Sequence, residues 1–275
     1  MKISKHLKDA IKIAKTSGLF LKNNLGKIKK ISYKGEINPV TNKICNRVNL
    51  VTDIDRKSEA LIVKFLKSRY PDYGILTEET PFKEENCEYK WIIDPLDGTT
   101  NYAHAFAFFC VSVALERSRQ GRESEIIAGA VYEPMRNELF FAERNKGAYL
   151  NGRRITVSKT GKLKRALLAT GFAYSLRRYN INLRHFKNFL MRTQAVRRAG
   201  SAALDLCYVA CGRFDGFWEL DLKPWDTAAG KLIVEEGGGR ISSFKGAKYS
   251  IYSKQILANN GKIHKAMRAV LAISR

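Results

Sequence analysis

"WIIDPLDGTTNY", residues 91–102, decides how this chain is read. An apolar run rich in β-formers ends in Asp94 and Asp97, three apart on a tight corner, followed by Gly98, Thr99 and Thr100. Two carboxylates so close repel one another, so the pairing points to a cation between them. Pro95 fixes the backbone that separates them. Other acids fall at the ends of expected elements: Glu78 and Glu79 close "YGILTEE" (73–79), and Asp226 opens the helix-like "WDTAAGKLIVEEGGG" (225–239). Carboxylates without histidine or thiolate beside them are hard oxygen ligands, a set that suits Mg²⁺. Gly98, Thr99 and Thr100 sit where strand turns into helix, and amides at a helix start attract anions while Gly allows close approach. A divalent-cation cluster beside a phosphate cradle is the arrangement for hydrolysing a phosphate ester. Taken singly, Asp-Gly reads as a turn, Glu78-Glu79 as a solvated strand end and Asp226 as a helix cap. The combined string D-P-x-D-G-T-T-N-Y with its outlying acids is far more specific.

Working outward, Leu7, Ile11, Ala14, Gly18, Leu21 and Leu25 recur at helical spacing and predict an amphipathic helix in the first thirty residues. "KGEINPVTNK" (34–43) reads as a turn-rich loop, and "RVNLVTDID" (47–55) as a short strand ending in acids. A helix is expected from Asp55 to Tyr70, capped by Thr52 with Asp55 in its first turn and stopped by Pro71. Strands follow at 73–79, 89–94, 108–116, 125–133 and 138–144, with a turn at "EPMRNE" and an Asn-Gly hairpin in "YLNGRR". The second half alternates strand and helix, from "ALLATG" through a basic helical stretch near 181–193, "AVRRAGSAALDLCYVACG" and "FDGFWEL". The helix at 225–236 ends in glycines, and a strand near "SKQILANN" leads to a terminal helix. The expectation is a mixed α/β chain of two lobes. Residues 1–155 form an α+β lobe carrying the cation and phosphate site. Residues 156–275 form an α/β lobe contributing Asp226 and substrate contacts.

A chain of 275 residues buries a substantial core, and no apolar run reaches the roughly 20 residues that span a bilayer. The start interleaves Lys with apolar residues and lacks the continuous core of a secretory signal, so the cytoplasm is expected. Cys45, Cys87, Cys110, Cys207 and Cys211 are odd in number and form no C-x-x-C pair, which reads as reduced thiols. His6, His104, His185 and His264 are scattered, which argues against a zinc site. The net charge of +23 is uneven: from Arg144 to Leu204 there are 15 Lys and Arg, Arg177, Arg178, Arg184, Arg197 and Arg198 among them, and no acid. Such a face draws in phosphorylated substrates or RNA. Without interleaved aromatics, most of it reads as a solvated surface.

The motifs "TEET" (77–80), "WIIDPLDGTTNYAH" (91–104) and "PWDTAAG" (224–230), supported by "LVTDIDRKSE" (50–59) and "RRAGSAALDL" (197–206), resemble the inositol monophosphatase family across nearly the whole chain. The resemblance implies a layered αβαβα sandwich of the sugar-phosphatase type, commonly dimeric, acting with magnesium and inhibited by lithium. By position it implies that Glu78, Asp94, the Leu96 carbonyl, Asp97 and Asp226 bind two or three Mg²⁺ ions, with Mn²⁺ able to substitute. Thr99 would pair with Asp55 to orient and activate the attacking water, with Glu78 assisting. Leu96, Asp97 and the amides of Gly98 and Thr99 would meet the phosphate. Gly200, Ser201, Ala202, Glu219 and Asp226 would face the hydroxyl-bearing part of the substrate. A threonine alone is a poor acid, but a carboxylate bonded to its hydroxyl aligns it to take the water's proton. The chain departs from the family where Thr77 stands before the glutamate pair in place of glycine. Ala105 and Ala107 stand where relatives often carry Gly and Pro, and Asn49 replaces a frequent Asp.

The expected function is hydrolysis of inositol-1-phosphate or a similar small polyol or sugar phosphate. A fructose-1,6-bisphosphatase, a bifunctional sugar phosphatase and a 3′(2′),5′-bisphosphate nucleotidase are the alternatives. The ending T-T-N-Y favours the first, because the nucleotidase branch tends to carry Lys-Glu where Thr100 and Asn101 stand. An additional role in binding RNA or a transcription complex is the reading from another class, supported by the charge.

Overall fold

The computed structural model describes residues 3–27, 31–33, 50–80, 87–118, 123–172 and 181–273. The loop expected at 34–43, Cys45, Asn49, Arg177 and Arg178 lie outside them. In chain order the first elements are α1 (Lys5–Asn24), β1 (Ile31–Tyr33), β2 (Leu50–Thr52), α2 (Asp53–Arg69), β3 (Gly74–Thr77), β4 (Tyr89–Asp97) and α3 (Thr99–Ala103). There follow β5 (Cys110–Arg117), β6 (Glu125–Glu133), β7 (Glu138–Glu143), β8 (Ala148–Leu150), β9 (Arg153–Ile155) and β10 (Leu167–Thr170). The chain continues with α4 (Ile181–Leu190), β11 (Ala195–Arg197), α5 (Ala202–Ala210), β12 (Gly216–Leu220), α6 (Pro224–Glu236), β13 (Arg240–Ser242), β14 (Gln255–Asn259) and α7 (His264–Ala272).

Strands β3 to β9 form one seven-stranded sheet in chain order, antiparallel except for the parallel pair β3–β4. A second sheet of five strands runs β11-β10-β12-β14-β13, and β1 pairs with β2 apart from both. Alternation along β4 shows how the layers are built. Trp91 and Ile93 join a core with Leu7, Ile13 and Leu21 of α1 and Ile54, Ile62 and Leu66 of α2. Ile92 faces the other way, into a core shared with Leu204 and Leu206 of α5, Leu232 and Ile233 of α6, and Phe217 and Ile256 of the second sheet. The far side of that second sheet packs Leu168, Trp218 and Leu257 against Phe189 of α4 and Met267 of α7. The layers therefore run helices, large sheet, helices, small sheet, helices, which is the sandwich expected from the motifs.

Local chemistry accounts for the elements that carry the site. Thr52 caps α2 as expected: its amide donates to Asp55 Oδ2 (2.9 Å), closing a capping box. The helix begins two residues earlier than the sequence pattern suggested, at Asp53. At the hairpin, Asn151 (φ 49°) and Gly152 (φ 81°) take the left-handed conformations that a two-residue turn demands. Strand β4 does not stop at Asp94. Asp94 lies opposite Ser112 and Asp97 opposite Cys110, so Pro95 and Leu96 together face a single residue of β5. This bulge follows from the missing donor at Pro95, and it turns both carboxylates out of the ladder.

Just past α3, Ala105 is exposed and holds φ 54°, a conformation that L-residues other than Asn and Asp rarely adopt. This backbone conformation suits the Gly that the family resemblance expects at this position. The left-handed penalty of about 1–2 kcal/mol exceeds the entropic cost of a glycine, about 0.5–1 kcal/mol. Ala105→Gly is therefore expected to stabilise the protein by about 0.5–1 kcal/mol in urea denaturation; a loss of stability would contradict the strain.

Candidate active site

The bulge places Asp94 at the bottom of the corner, 1% exposed, with its Oδ1 taking the Leu96 amide (3.0 Å). Asp97 reaches across to the second half of the chain. Its Oδ2 accepts the Ser201 hydroxyl (2.6 Å) and the Ala203 amide (2.7 Å) at the start of α5, where Ser201 is the N-cap. A carboxylate at a helix N-terminus is favourably placed against the helix dipole. Asp226 lies in the first turn of α6, with its Oδ2 on the Lys223 amide (2.7 Å). Glu78 directly follows β3, which pairs with β4 so that Thr77 stands opposite Ile93.

These four acids feel one another. Burial pushes the Asp94 carboxyl well above its ordinary value, and Glu78, Asp97 and Asp226 push it further. Burial likewise raises Asp226, followed by Asp97 and Glu78, with only partial relief from Lys223. Burial raises Asp97 too, against hydrogen bonds from Ser201 and the α5 amides. The structure thus brings together the acids that the sequence left dispersed over three motifs.

Beside them, Thr99 Oγ1 lies 3.0 Å from Asp55 Oδ1 and 3.1 Å from the Leu96 carbonyl. Asp55 is 1% exposed, and its second oxygen takes the Thr52 amide and hydroxyl. Burial raises its carboxyl, and the bonds from Thr52 and Thr99 pull it back. Gly98 holds φ 98°, and a Cβ there would stand 3.0 Å from the Phe108 carbonyl oxygen, so only glycine fits this turn. The first helical hydrogen bond of α3 is Tyr102 N to Gly98 O (2.9 Å), which leaves the preceding amides outside the ladder.

On the other side, Gly200 (φ 92°) lies against Arg198 and Asn101, and Ser201 and Ala202 start α5. Glu219 on β12 is 7% exposed; burial raises its carboxyl, as do Asp226 and Asp97, while Arg198 opposes the shift. Three contributors escaped the sequence reading. Asn101 Nδ2 donates to the carbonyls of Phe108 (2.7 Å) and Ala199 (2.8 Å), tying α3 to the loop before α5. A Cβ at Gly171 would sit 2.3 Å from both Glu219 oxygens, so this glycine makes room for that carboxylate. Asp205, 1% exposed, has an Oδ1 that meets no donor among the described residues. An acid inside the apolar "AALDLCYVA" was the signal available for it.

The remaining expectations concern thiols and a cation. Cys87, Cys110, Cys207 and Cys211 are free, and burial pushes the Cys110 and Cys207 thiols well up, away from reactive thiolates. The donor set fits a hard divalent cation: oxygen ligands only, brought together from the end of β3, from β4 and from the start of α6. Among the described residues, no three His, Cys, Asp or Glu side chains stand as a ready metal-holding group. Asp94 and Asp226 each spend one oxygen on a backbone amide and keep the other. No described helix is long and apolar enough to cross a membrane.

In the metal-free protein no divalent cation offsets the crowding of these acids. The raised carboxyls hold protons more tightly than the unfolded chain does, so stability falls as pH rises from the ordinary carboxylate value of 3.8 toward the raised ones. Asp94→Asn removes one charge and keeps an acceptor for the Leu96 amide. In EDTA at about pH 7 it should melt at least about 2 °C above the unsubstituted protein, with the gain vanishing toward about pH 4. Calorimetry giving an equal or lower Tm at neutral pH would rule out strong repulsion at the corner.

Comparison with known proteins shows the family and the fold. The model of the inositol monophosphatase family matches residues 3–274. An "Inositol-1-monophosphatase" of Synechocystis sp. is 43% identical over 249 residues, 90% of this chain and 82% of that protein. A "Nus factor SuhB" of Xylella fastidiosa is 42% identical over 236 residues, 83% of this chain and 84% of that protein. Among solved structures, the extragenic suppressor protein suhB of Bartonella henselae superposes with a TM-score of 0.87 at 37% identity, over 98% of both chains. With its motifs, its layers and its carboxylate corner in accord, the chain belongs to the inositol monophosphatase family.

Proposed function

We propose that this chain, a phosphoric monoester hydrolase by family, cleaves inositol-1-phosphate or a similar small polyol or sugar phosphate. The observation that carries the reading is the Thr99–Asp55 hydrogen bond (3.0 Å) set beside the four-carboxylate corner. Glu78, Asp94, the Leu96 carbonyl, Asp97 and Asp226 would hold two or three Mg²⁺ ions, with Mn²⁺ able to replace them and Li⁺ competing for one position. When bound, these ions screen the phosphoryl charge and stabilise the attacking and departing oxygens.

The chain's own groups do the rest. The amides of Gly98 and Thr99 receive phosphate oxygens at the turn. Thr99 Oγ1 takes a proton from the attacking water while its own proton passes to Asp55 Oδ1. The upward shift of Asp55 suits it to that acceptance. The water oxygen bonds to phosphorus as the ester P–O bond breaks; the departing alkoxide takes a proton from solvent, and Asp55 later returns its proton to solvent, which balances the reaction. Glu78 assists in orienting the water. Gly200, Ser201, Ala202, Glu219 and Asp226 fix the hydroxyl-bearing part of the substrate, with the Glu219 carboxylate as its acceptor. A fructose-1,6-bisphosphatase, a bifunctional sugar phosphatase and a bisphosphate nucleotidase are the alternative substrates of the same machinery. The resemblance also carries a homodimer and a cytoplasmic location into this proposal.

A second reading, an additional contact with RNA or a transcription complex, is favoured by the charge of +23 and by the relative named Nus factor SuhB. It predicts RNA binding that persists at physiological salt; loss of all affinity there would remove it.

A phosphate-release screen over inositol phosphates, fructose-1,6-bisphosphate, glycerol phosphates and 3′-phosphoadenosine 5′-phosphate tests the main reading, with inositol-1-phosphate expected as the best substrate. Thr99→Ala should lower kcat by about 10²–10⁴ with little change in Tm. Asp94→Asn should abolish turnover, and lithium should inhibit at millimolar concentration. Near-normal activity of either variant, or complete lithium insensitivity, would overturn the mechanism.

A further inference from the structure

Helix α2 supplies more to the site than Asp55. Residues 55, 58 and 59 stand at i, i+3 and i+4 and so share one helical face. All three are buried, with Ser58 at 0% and Glu59 at 5% exposure. Each reaches a different segment of the corner. Asp55 holds the Thr99 hydroxyl. Ser58 Oγ donates to the Pro95 carbonyl (2.7 Å), the peptide between the two aspartates, and is itself met by Ser17 Oγ of α1 (2.6 Å).

Glu59 addresses the third segment. Its Oε2 accepts the Thr77 hydroxyl (2.7 Å) and the Glu79 amide (2.9 Å), and its Oε1 accepts the Thr80 hydroxyl. These donors flank Glu78 on both sides, at the point where the ladder of β3 has ended. We infer that Glu59 is a positioning residue: its buried carboxylate clamps residues 77, 79 and 80 and so aims the Glu78 carboxylate at Asp94 and Asp226. One face of one helix thereby registers Thr99, the Asp94–Asp97 corner and Glu78 against one another. The inference rests on the proposed role of Glu78 as a cation ligand.

A buried acid that merely satisfies a loop would cost stability when altered and leave cation affinity alone. Positioning moves affinity, because outer hydrogen bonds that orient a ligand are typically worth about 10–100-fold in metal binding. The test is calorimetric titration of the metal-stripped protein with Mn²⁺, together with the Mn²⁺-induced rise in Tm, for Glu59→Gln, Thr80→Val and Glu78→Gln. Glu59→Gln keeps the shape but turns a donor toward the Thr80 or Glu79 side, and it should raise the Mn²⁺ Kd about tenfold. Thr80→Val removes one clamp bond at an exposed position and should raise it about two- to threefold, which keeps the test alive if Glu59→Gln fails to fold. Steady-state kinetics should show a higher Mg²⁺ requirement, with KM for substrate little changed at saturating Mg²⁺. Unchanged Mn²⁺ affinity in Glu59→Gln and Thr80→Val, with a clear loss in Glu78→Gln, would overturn the positioning role alone. Unchanged affinity in Glu78→Gln would overturn the ligand assignment beneath it as well.

Discussion

Everything in this molecule answers to one constraint: four like-charged side chains are held together in a partly closed corner. Two carboxylates about 4 Å apart repel by about 4 kcal/mol at an effective dielectric of about 20. The protein offers modest compensation. The start of α5 meets Asp97 and that of α6 meets Asp226, and such termini return about 0.3–1 kcal/mol each. Among the described residues, Lys223 is the lysine or arginine that offsets these shifts, at Asp226. Burial and, for Asp94 and Asp226, the neighbouring acids outweigh these bonds, so all three carboxyls are raised. On the proposed reading, the imbalance is the driving force for taking up divalent ions, and the fold exists to stop the acids from moving apart.

On that reading, each support around the corner keeps an acid in place. Asp94 sits in a strand bulge fixed on both sides by β5, and Asp97 is bonded to the N-terminus of a helix from the other half of the chain. Asn101 makes a second tie across the same gap, to Ala199. Beneath them α5 and α6 are packed between both sheets, and α6 comes so close to β6 that a Cβ on Gly129 would stand 3.0 Å from Ala229 Cα. On the proposed reading, these contacts tie the phosphate side of the site to its hydroxyl side. Helix α2 adds the third support, through Asp55, Ser58 and Glu59.

Much of this was legible in the sequence, because the governing residues are punctuation with local consequences. Thr52, Pro95, Gly98 and the Asn151-Gly152 pair each dictate backbone geometry where they stand. The apolar run in residues 91–93 marks a strand, but only the packing tells its two faces apart. What the sequence hid is non-local. Helix α5 is apolar nearly all round, so its pattern could not say that both faces are buried against different sheets. The bulge at Asp94–Asp97 depends on the partner strand, and so the strand seemed to stop three residues early. Glu59 reads as one more acid in an amphipathic helix until residues 77–80 are folded over it. The strain at Ala105 shows only once its φ is known, although its place where the resemblance expects Gly was a clue.

The most direct test is an anomalous difference map from a crystal of this protein grown with manganese. The account predicts strong peaks ringed by Glu78, Asp94, Asp97 and Asp226, with the Leu96 carbonyl turned toward one of them. A map with no peak at that corner, and with Asp226 directed away from Asp94 and Asp97, would contradict it.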